Sequence, residues 1–130
     1  MLFGLKTDSS IAELYLYDLV GNLVAEYSWE ANRSLARELL SKIDEFLAQN
    51  NVAIEQIKGL FAYKGPGSFT GLRIGLTVIN TLSYAHSLPV ASGEDEDWCK
   101  EAVESLLSGV NQQILLPEYG APPRITQAKK

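Results

Sequence analysis

The stretch Gly65-Pro66-Gly67-Ser68-Phe69-Thr70-Gly71-Leu72-Arg73-Ile74-Gly75 constrains this chain more than any other. It follows a short apolar run, Ile57 to Tyr63, and opens a long apolar segment that reaches Ser87. That order reads as strand, glycine turn, then a helix starting near Ser68. Gly65 and Gly67 admit backbone angles closed to other residues, and Pro66 stiffens the turn between them. Ser68 is placed to cap the first free N–H groups of the helix, so this end suits an anion or a partner's backbone.

The helix carries a pattern of its own. At about 100° per residue, Arg73, Thr77, Asn80 and Tyr84 fall on one narrow polar stripe. Ile74, Val78, Leu82 and Ala85 form one apolar flank, and Leu72, Leu76 and Ile79 form another. Gly71 and Gly75 lie between the flanks and repeat the four-residue step from Gly67. A helix apolar over most of its circumference is covered on two sides. The glycines let a neighbouring backbone come close, and in so small a chain one covered side is expected to belong to another protein.

Three readings of the loop compete. The phosphate-loop pattern needs Lys followed by Ser or Thr after its last glycine, and Leu72-Arg73 stands there instead. The dinucleotide fingerprint needs two residues between its second and third glycines, where this chain has Ser68, Phe69 and Thr70. A tight strand-to-helix turn with close packing fits the pattern better than either.

The run Gly-Pro-Gly-Ser-Phe-Thr-Gly-Leu-Arg-Ile-Gly-Leu at 65–76, the apolar helix after it and the closing Leu88-Pro89-Val90 resemble the signature of the TsaB (YeaZ) family. The order of elements agrees over about residues 1–92. The resemblance implies a non-catalytic partner in bacterial threonylcarbamoyladenosine synthesis on tRNA, paired with a TsaD-like catalytic subunit, with a TsaE-like ATPase as a further possible member. It implies contact with tRNA only indirectly, and a homodimer through the same surface when the partner is absent. It also implies that the helix ending near Gln49 and the helix after Gly67 together form the docking surface. The contact residues expected on them are Leu35, Leu39, Ile43, Phe46, Phe69, Leu72, Arg73, Leu76 and Ile79. Gly65, Pro66, Gly67, Ser68, Thr70, Gly71 and Gly75 are expected to build the structural loop. The chain departs from the family at Lys6-Thr7-Asp8, where typical members end their first strand in Asp-Thr-Ser. Full-length members also carry a second lobe where this chain has Ser92 to Leu116.

In chain order, Leu2 to Leu5 suits a buried strand, and Thr7 to Ser10 suits a turn. Ile11 to Tyr17 alternates, with Ala12, Leu14 and Leu16 on one face. Gly21-Asn22 marks a reversal before a third strand, Leu23 to Trp29. Leu88 to Ala91 is expected as a fifth strand, Asp97 to Leu107 as a helix, and Ile114-Leu115-Leu116 as a last short strand. The fold expected is an α/β, single actin-like or ribonuclease-H-like lobe. Its mixed five-stranded sheet has three antiparallel strands and then parallel ones, with flanking helices. Residues 1–92 form that lobe, 93–116 a short helix and strand replacing the second lobe, and 117–130 a Pro-rich basic tail.

The length of 130 residues fits one domain. A net charge of −5 argues against strong attraction to nucleic acid. There is no run of about 18 apolar residues, the N-terminus has no signal-peptide pattern, and Cys99 stands alone. All three fit a cytoplasmic protein without membrane contact. His86 is the only histidine, and the acidic run Glu94 to Asp97 lacks metal-ligand spacing, so neither metal nor cofactor is expected. Cys99 has no histidine near it in sequence, and Ser68 lacks the nucleophile elbow. No catalytic residue is assigned, and the chain is expected not to be an enzyme by itself. The residues leave a second function open, a nucleotide- or phosphate-binding actin-like ATPase-type protein using the Gly65–Gly71 turn.

Overall fold

A computed structural model describes residues 1–118. Five strands form one sheet in the order β3-β2-β1-β4-β5. Strands β1 (Leu2–Lys6), β2 (Ile11–Tyr17) and β3 (Leu23–Glu30) pair antiparallel, while β4 (Gly59–Gly65) and β5 (Val90–Glu94) run parallel to β1. The parallel strands require crossovers. Helix α1 (Leu35–Gln49) makes the first and α2 (Phe69–His86) the second. Helix α3 (Trp98–Leu107) follows β5. This is the actin-like, ribonuclease-H-like α/β lobe expected from the sequence, with its mixed five-stranded sheet.

The alternation in β2 sets the two faces. Ala12, Leu14 and Leu16 are buried with Phe3 and Leu5 in the larger cluster, where Leu39, Phe46, Leu76 and Ile79 of α1 and α2 meet them. On the opposite face Leu2, Phe61, Tyr63 and Ala91 pack against Trp98, Ala102 and Val103 of α3. Each fully buried leucine or phenylalanine contributes about 1.5–3 kcal/mol. The β2–β3 reversal is held by the Asp18 carboxylate, which accepts from the backbone N–H groups of Val20 (3.0 Å) and Asn22 (2.8 Å). Those hydrogen bonds, Asn22's first, hold the Asp18 carboxyl below the usual carboxylate range.

Two strand boundaries move by physical necessity. Strand β5 starts at Val90 rather than Leu88, because Pro89 has no N–H and the Leu88 N–H bonds to the Ser83 carbonyl at 3.0 Å as α2 ends. Strand β4 starts at Gly59 rather than Ile57, because Ile57 closes a short 3-10 turn over Ile54–Gln56.

The expected strand at Ile114–Leu116 is not one. Residues 110–118 form an extended strap that passes around the outer edge of β5 to the flank of α2. Gln112 N–H donates to the Val90 carbonyl at 2.8 Å, and the Asn111 side-chain oxygen accepts from Val90 N–H at 3.1 Å. Leu115 is 2% exposed and belongs to the larger core cluster. Its backbone is gripped at both groups by one side chain: Asn80 Nδ2 donates to its carbonyl at 3.0 Å, and Asn80 Oδ1 accepts from its N–H at 2.9 Å. A strand neighbour is replaced by an amide side chain on a helix. Glu118 N–H then bonds to the Lys64 carbonyl at 2.6 Å. Of the expected tail, residues 119–130, with Arg124, Lys129 and Lys130, lie outside the described residues.

Candidate partner-docking face

The glycine turn positions α2. Gly65 has a positive φ of 129°, and a Cβ there would run into the Glu118 carbonyl. Tyr63 Oη donates to the Pro66 carbonyl at 2.6 Å, and Ser68 N–H donates to the Asp8 carbonyl at 2.9 Å. Ser68 holds the N-cap position of α2, but its side chain makes no capping hydrogen bond, contrary to the sequence expectation.

The glycine face of α2 is filled by this chain itself. A Cβ on Gly67 would overlap the Asp8 side chain, one on Gly71 the Thr7 carbonyl, and one on Gly75 the Thr7 hydroxyl. Thr7, 1% exposed, donates from Oγ1 to the Gly71 carbonyl at 2.8 Å. The four-residue glycine step therefore seats α2 on the turn after β1. It does not open a groove for another protein. Thr70 lies at the outer side of the same helix start, exposed.

Most of the expected contact residues face inward. Leu35, Leu39, Ile43 and Phe46 of α1 and Leu72, Leu76 and Ile79 of α2 are buried in this chain's own clusters. These seven are corrected from contact residues to core. The reason is that both helices lie on the same face of the sheet, so their strongest apolar stripes cover β1, β2 and β4. Phe69, at 55% exposure, and Arg73 remain outside, with the Arg73 guanidinium 5.2 Å from the Phe69 ring centre.

The surface left over is a seam between α1 and α2. One cleft of about 450 Å³ is lined by Ala36, Phe69, Thr70, Arg73, Ile74, Thr77 and Val78. A second, about 640 Å³, adjoins it through Thr70 and Ile74 and brings in Ser9, Ser10, Arg33, Ser34 and Ser68. A third lies further along the same helices, with Leu40, Asp44, Leu82 and His86 among its walls. Leu40 is 57% exposed, and Ile74, Val78 and Leu82 are half-buried. The flank Ile74, Val78, Leu82 was legible as apolar from helical spacing, and in the fold it packs against the core cluster while staying half-buried.

At the ends of β1 and β4 the charges pair with one another. Lys6 Nζ stands 2.6 Å from Asp8 Oδ1 and 4.4 Å from the Tyr63 ring centre, and Lys64 Nζ is 3.6 Å from Glu94 Oε1. Across the sheet from α1 and α2, burial pushes the Cys99 thiol up to about 11 and the Tyr17 phenol up to about 12. Burial, reinforced by the hydrogen bond to Glu13, also raises Tyr15. A thiol so held stays protonated at neutral pH and is a poor nucleophile. Among the described residues no three His, Cys, Asp or Glu side chains are gathered to hold a metal ion, and no helix is long and apolar enough to cross a membrane. Physically, the arrangement offers a partly apolar seam between two helices packed on one face of the sheet.

A lobe of this architecture, with the glycine turn seating its second helix on the first strand's turn, defines a member of the actin-like, ribonuclease-H-like class. A family model described as "TsaD: tRNA N6-adenosine threonylcarbamoyltransferase" matches residues 27–92, slightly more than half of the chain. The chain belongs to that family, and within it to the TsaB (YeaZ) group. It is 38% identical over 60 residues to the tRNA threonylcarbamoyladenosine biosynthesis protein TsaB of Haemophilus influenzae, a match covering 46% of this chain and 25% of that protein. With the Bacillus subtilis TsaB protein it shares 27% identity over 70 residues, 54% of this chain and 31% of the relative. The solved structure of YeaZ from Pseudomonas aeruginosa superposes with a TM-score of 0.66 at 28% identity, covering 72% of this chain and 43% of YeaZ. The chain thus corresponds to less than half the length of the relatives it matches.

Proposed function

We propose that this chain is a non-catalytic partner subunit in threonylcarbamoyladenosine formation on tRNA, in the cytoplasm. It binds and supports a TsaD-like catalytic subunit through the outward seam of α1 and α2. The observation that carries this reading is the apolar ground along two adjacent helices, where Leu40 and Phe69 are exposed and Ile74 and Val78 are half-buried. Apolar ground of this kind favours coverage by another chain. Its relatives carry names from the same modification pathway. A homodimer through the same seam forms when the partner is absent, a TsaE-like ATPase joins the complex, and tRNA is met only through the catalytic subunit.

The test is co-purification with the cognate TsaD-like subunit. Leu40→Asp and Val78→Asp should abolish it while leaving the fold intact. Undiminished co-purification by both folded variants would count against the seam.

A second reading draws on the cleft where the hydroxyl residues Ser9, Ser10, Ser68 and Thr70 and Arg33 gather beside the start of α2, a setting that suits phosphate. Calorimetric titration of the isolated chain with ATP and ADP separates the two. Micromolar binding lost in Arg33→Ala favours the nucleotide reading, and no heat favours the partner subunit.

A further inference from the structure

The two adjoining clefts at the start of α2 are lined by Arg33 and Arg73 and by no carboxylate. This occurs in a chain with sixteen acidic residues against eleven Lys and Arg. Other clefts carry acid: Glu13 and Glu26 beside β2 and β3, Asp97, Glu101 and Glu104 along α3, and Asp44 at the far end of the seam. Arg37, one turn after Arg33, is exposed as well. Its neighbour Glu38 is turned toward β3, where it accepts from Trp29 Nε1 at 3.2 Å.

Among the described residues neither Arg33 nor Arg37 forms an ion pair, whereas Lys6 and Lys64 both do. Position makes this more telling. Arg37 sits in the first turn of α1 beside Glu38, and Arg73 just past the first turn of α2, a turn that holds no acidic residue. A cation within the first turn, as Arg37 is, opposes the helix dipole. Arg33 and Arg73 stand at the mouth of an apolar seam, and Arg37 follows Arg33 by one helical turn.

We propose that this end of the docking face receives an acidic amphipathic helix of the partner. Its apolar side chains lie against Ile74 and Val78, and its carboxylates pair with Arg33, Arg37 and Arg73. The planar guanidinium fork suits carboxylates held side by side. The inference deepens the partner-subunit reading and rests on it. An RNA backbone fits less well, because the seam runs on from the arginines into Ile74, Val78 and Leu82 and then reaches Asp44, while phosphate tracking needs continued cations.

The experiment is calorimetric titration of the full chain with the cognate TsaD-like subunit, comparing wild type, the Arg37→Glu/Arg73→Glu double variant and Val78→Asp. Matching circular dichroism spectra establish that each variant is folded. Charge reversal should weaken binding by about tenfold or more, and wild-type affinity should fall several-fold between about 0.05 and about 0.5 M salt. If the charge-reversed variant binds like wild type while Val78→Asp does not, the seam stands and the acidic helix is overturned. If both bind like wild type, the docking face falls with it. If the double variant loses only tRNA binding, the arginines belong to RNA and the proposal is likewise overturned.

Discussion

Replacing Asn80 with alanine tests the side chain that grips the strap at Leu115. The substitution removes two hydrogen bonds, of 3.0 and 2.9 Å, to the two backbone groups of Leu115. Two outcomes compete. If the strap stays seated, its N–H and carbonyl lose their partners beside a buried side chain. Each then costs about 1–3 kcal/mol, less whatever water recovers from the exposed side of Ile114 and Leu116. If the strap lifts, both groups are hydrated, but the burial of Leu115, about 1.5–3 kcal/mol, is lost against some regained chain entropy. The protein takes the cheaper course, so the expected loss is about 2–3 kcal/mol. Urea denaturation reads that loss, and amide exchange at Leu115 separates the two courses, with fast exchange marking a lifted strap. In the Asn80→Ala/Leu115→Ala double variant the losses should fall short of additive, because both changes act on one seat. A loss below about 0.5 kcal/mol for Asn80→Ala, with an unchanged denaturant slope, would show that the amide grip is incidental.

Other outcomes follow from the same packing. Gly71→Ala should lower stability by about 2 kcal/mol or more, since its Cβ meets the Thr7 backbone carbonyl and only a shift of α2 relieves it; thermal melting checks this. Leu72→Glu should unfold the protein rather than spare the fold and block docking, because Leu72 is fully buried, and a folded, soluble variant would contradict the core assignment. Cys99 should react slowly with iodoacetamide at pH 8 in the folded chain and at an ordinary rate in urea. Its thiol holds its proton to about 11 when folded against an ordinary 9.0, so the unfolded chain releases protons first. That contribution to stability is whole below pH 9 and declines toward pH 11, which Cys99→Ser, followed by denaturation across that window, should abolish.

Much of the lobe was legible because period and punctuation agreed. Alternation through Ile11–Tyr17 sorted Ala12, Leu14 and Leu16 to the core, and the apolar run after a glycine turn gave α2 within a residue or two. The candidate face was harder to read. Spacing revealed that Leu72 and Ile74 lie on different flanks of α2, but not which flank the sheet would claim. It claimed the one with Leu72, Leu76 and Ile79, along with the matching stripe of α1. The glycine step showed that something comes close, though not that Thr7 and Asp8 are what come close. Asn80 counted as one more polar residue on a stripe, since its partner lies thirty-five positions on in a segment with no period of its own.

The strap also bears on how copies of this molecule meet. By engaging the outward N–H and carbonyl of Val90, Asn111 and Gln112 close that margin of the sheet to any incoming ribbon. Among the described residues the opposite margin, β3, has no such hem. It exposes Leu23, Val24 and Tyr27 and is guarded by Glu26, Glu30 and the irregular register at Leu16 and Tyr17. Lateral growth of this sheet is therefore one-sided, and neutralising Glu26 and Glu30 is the change that would invite it.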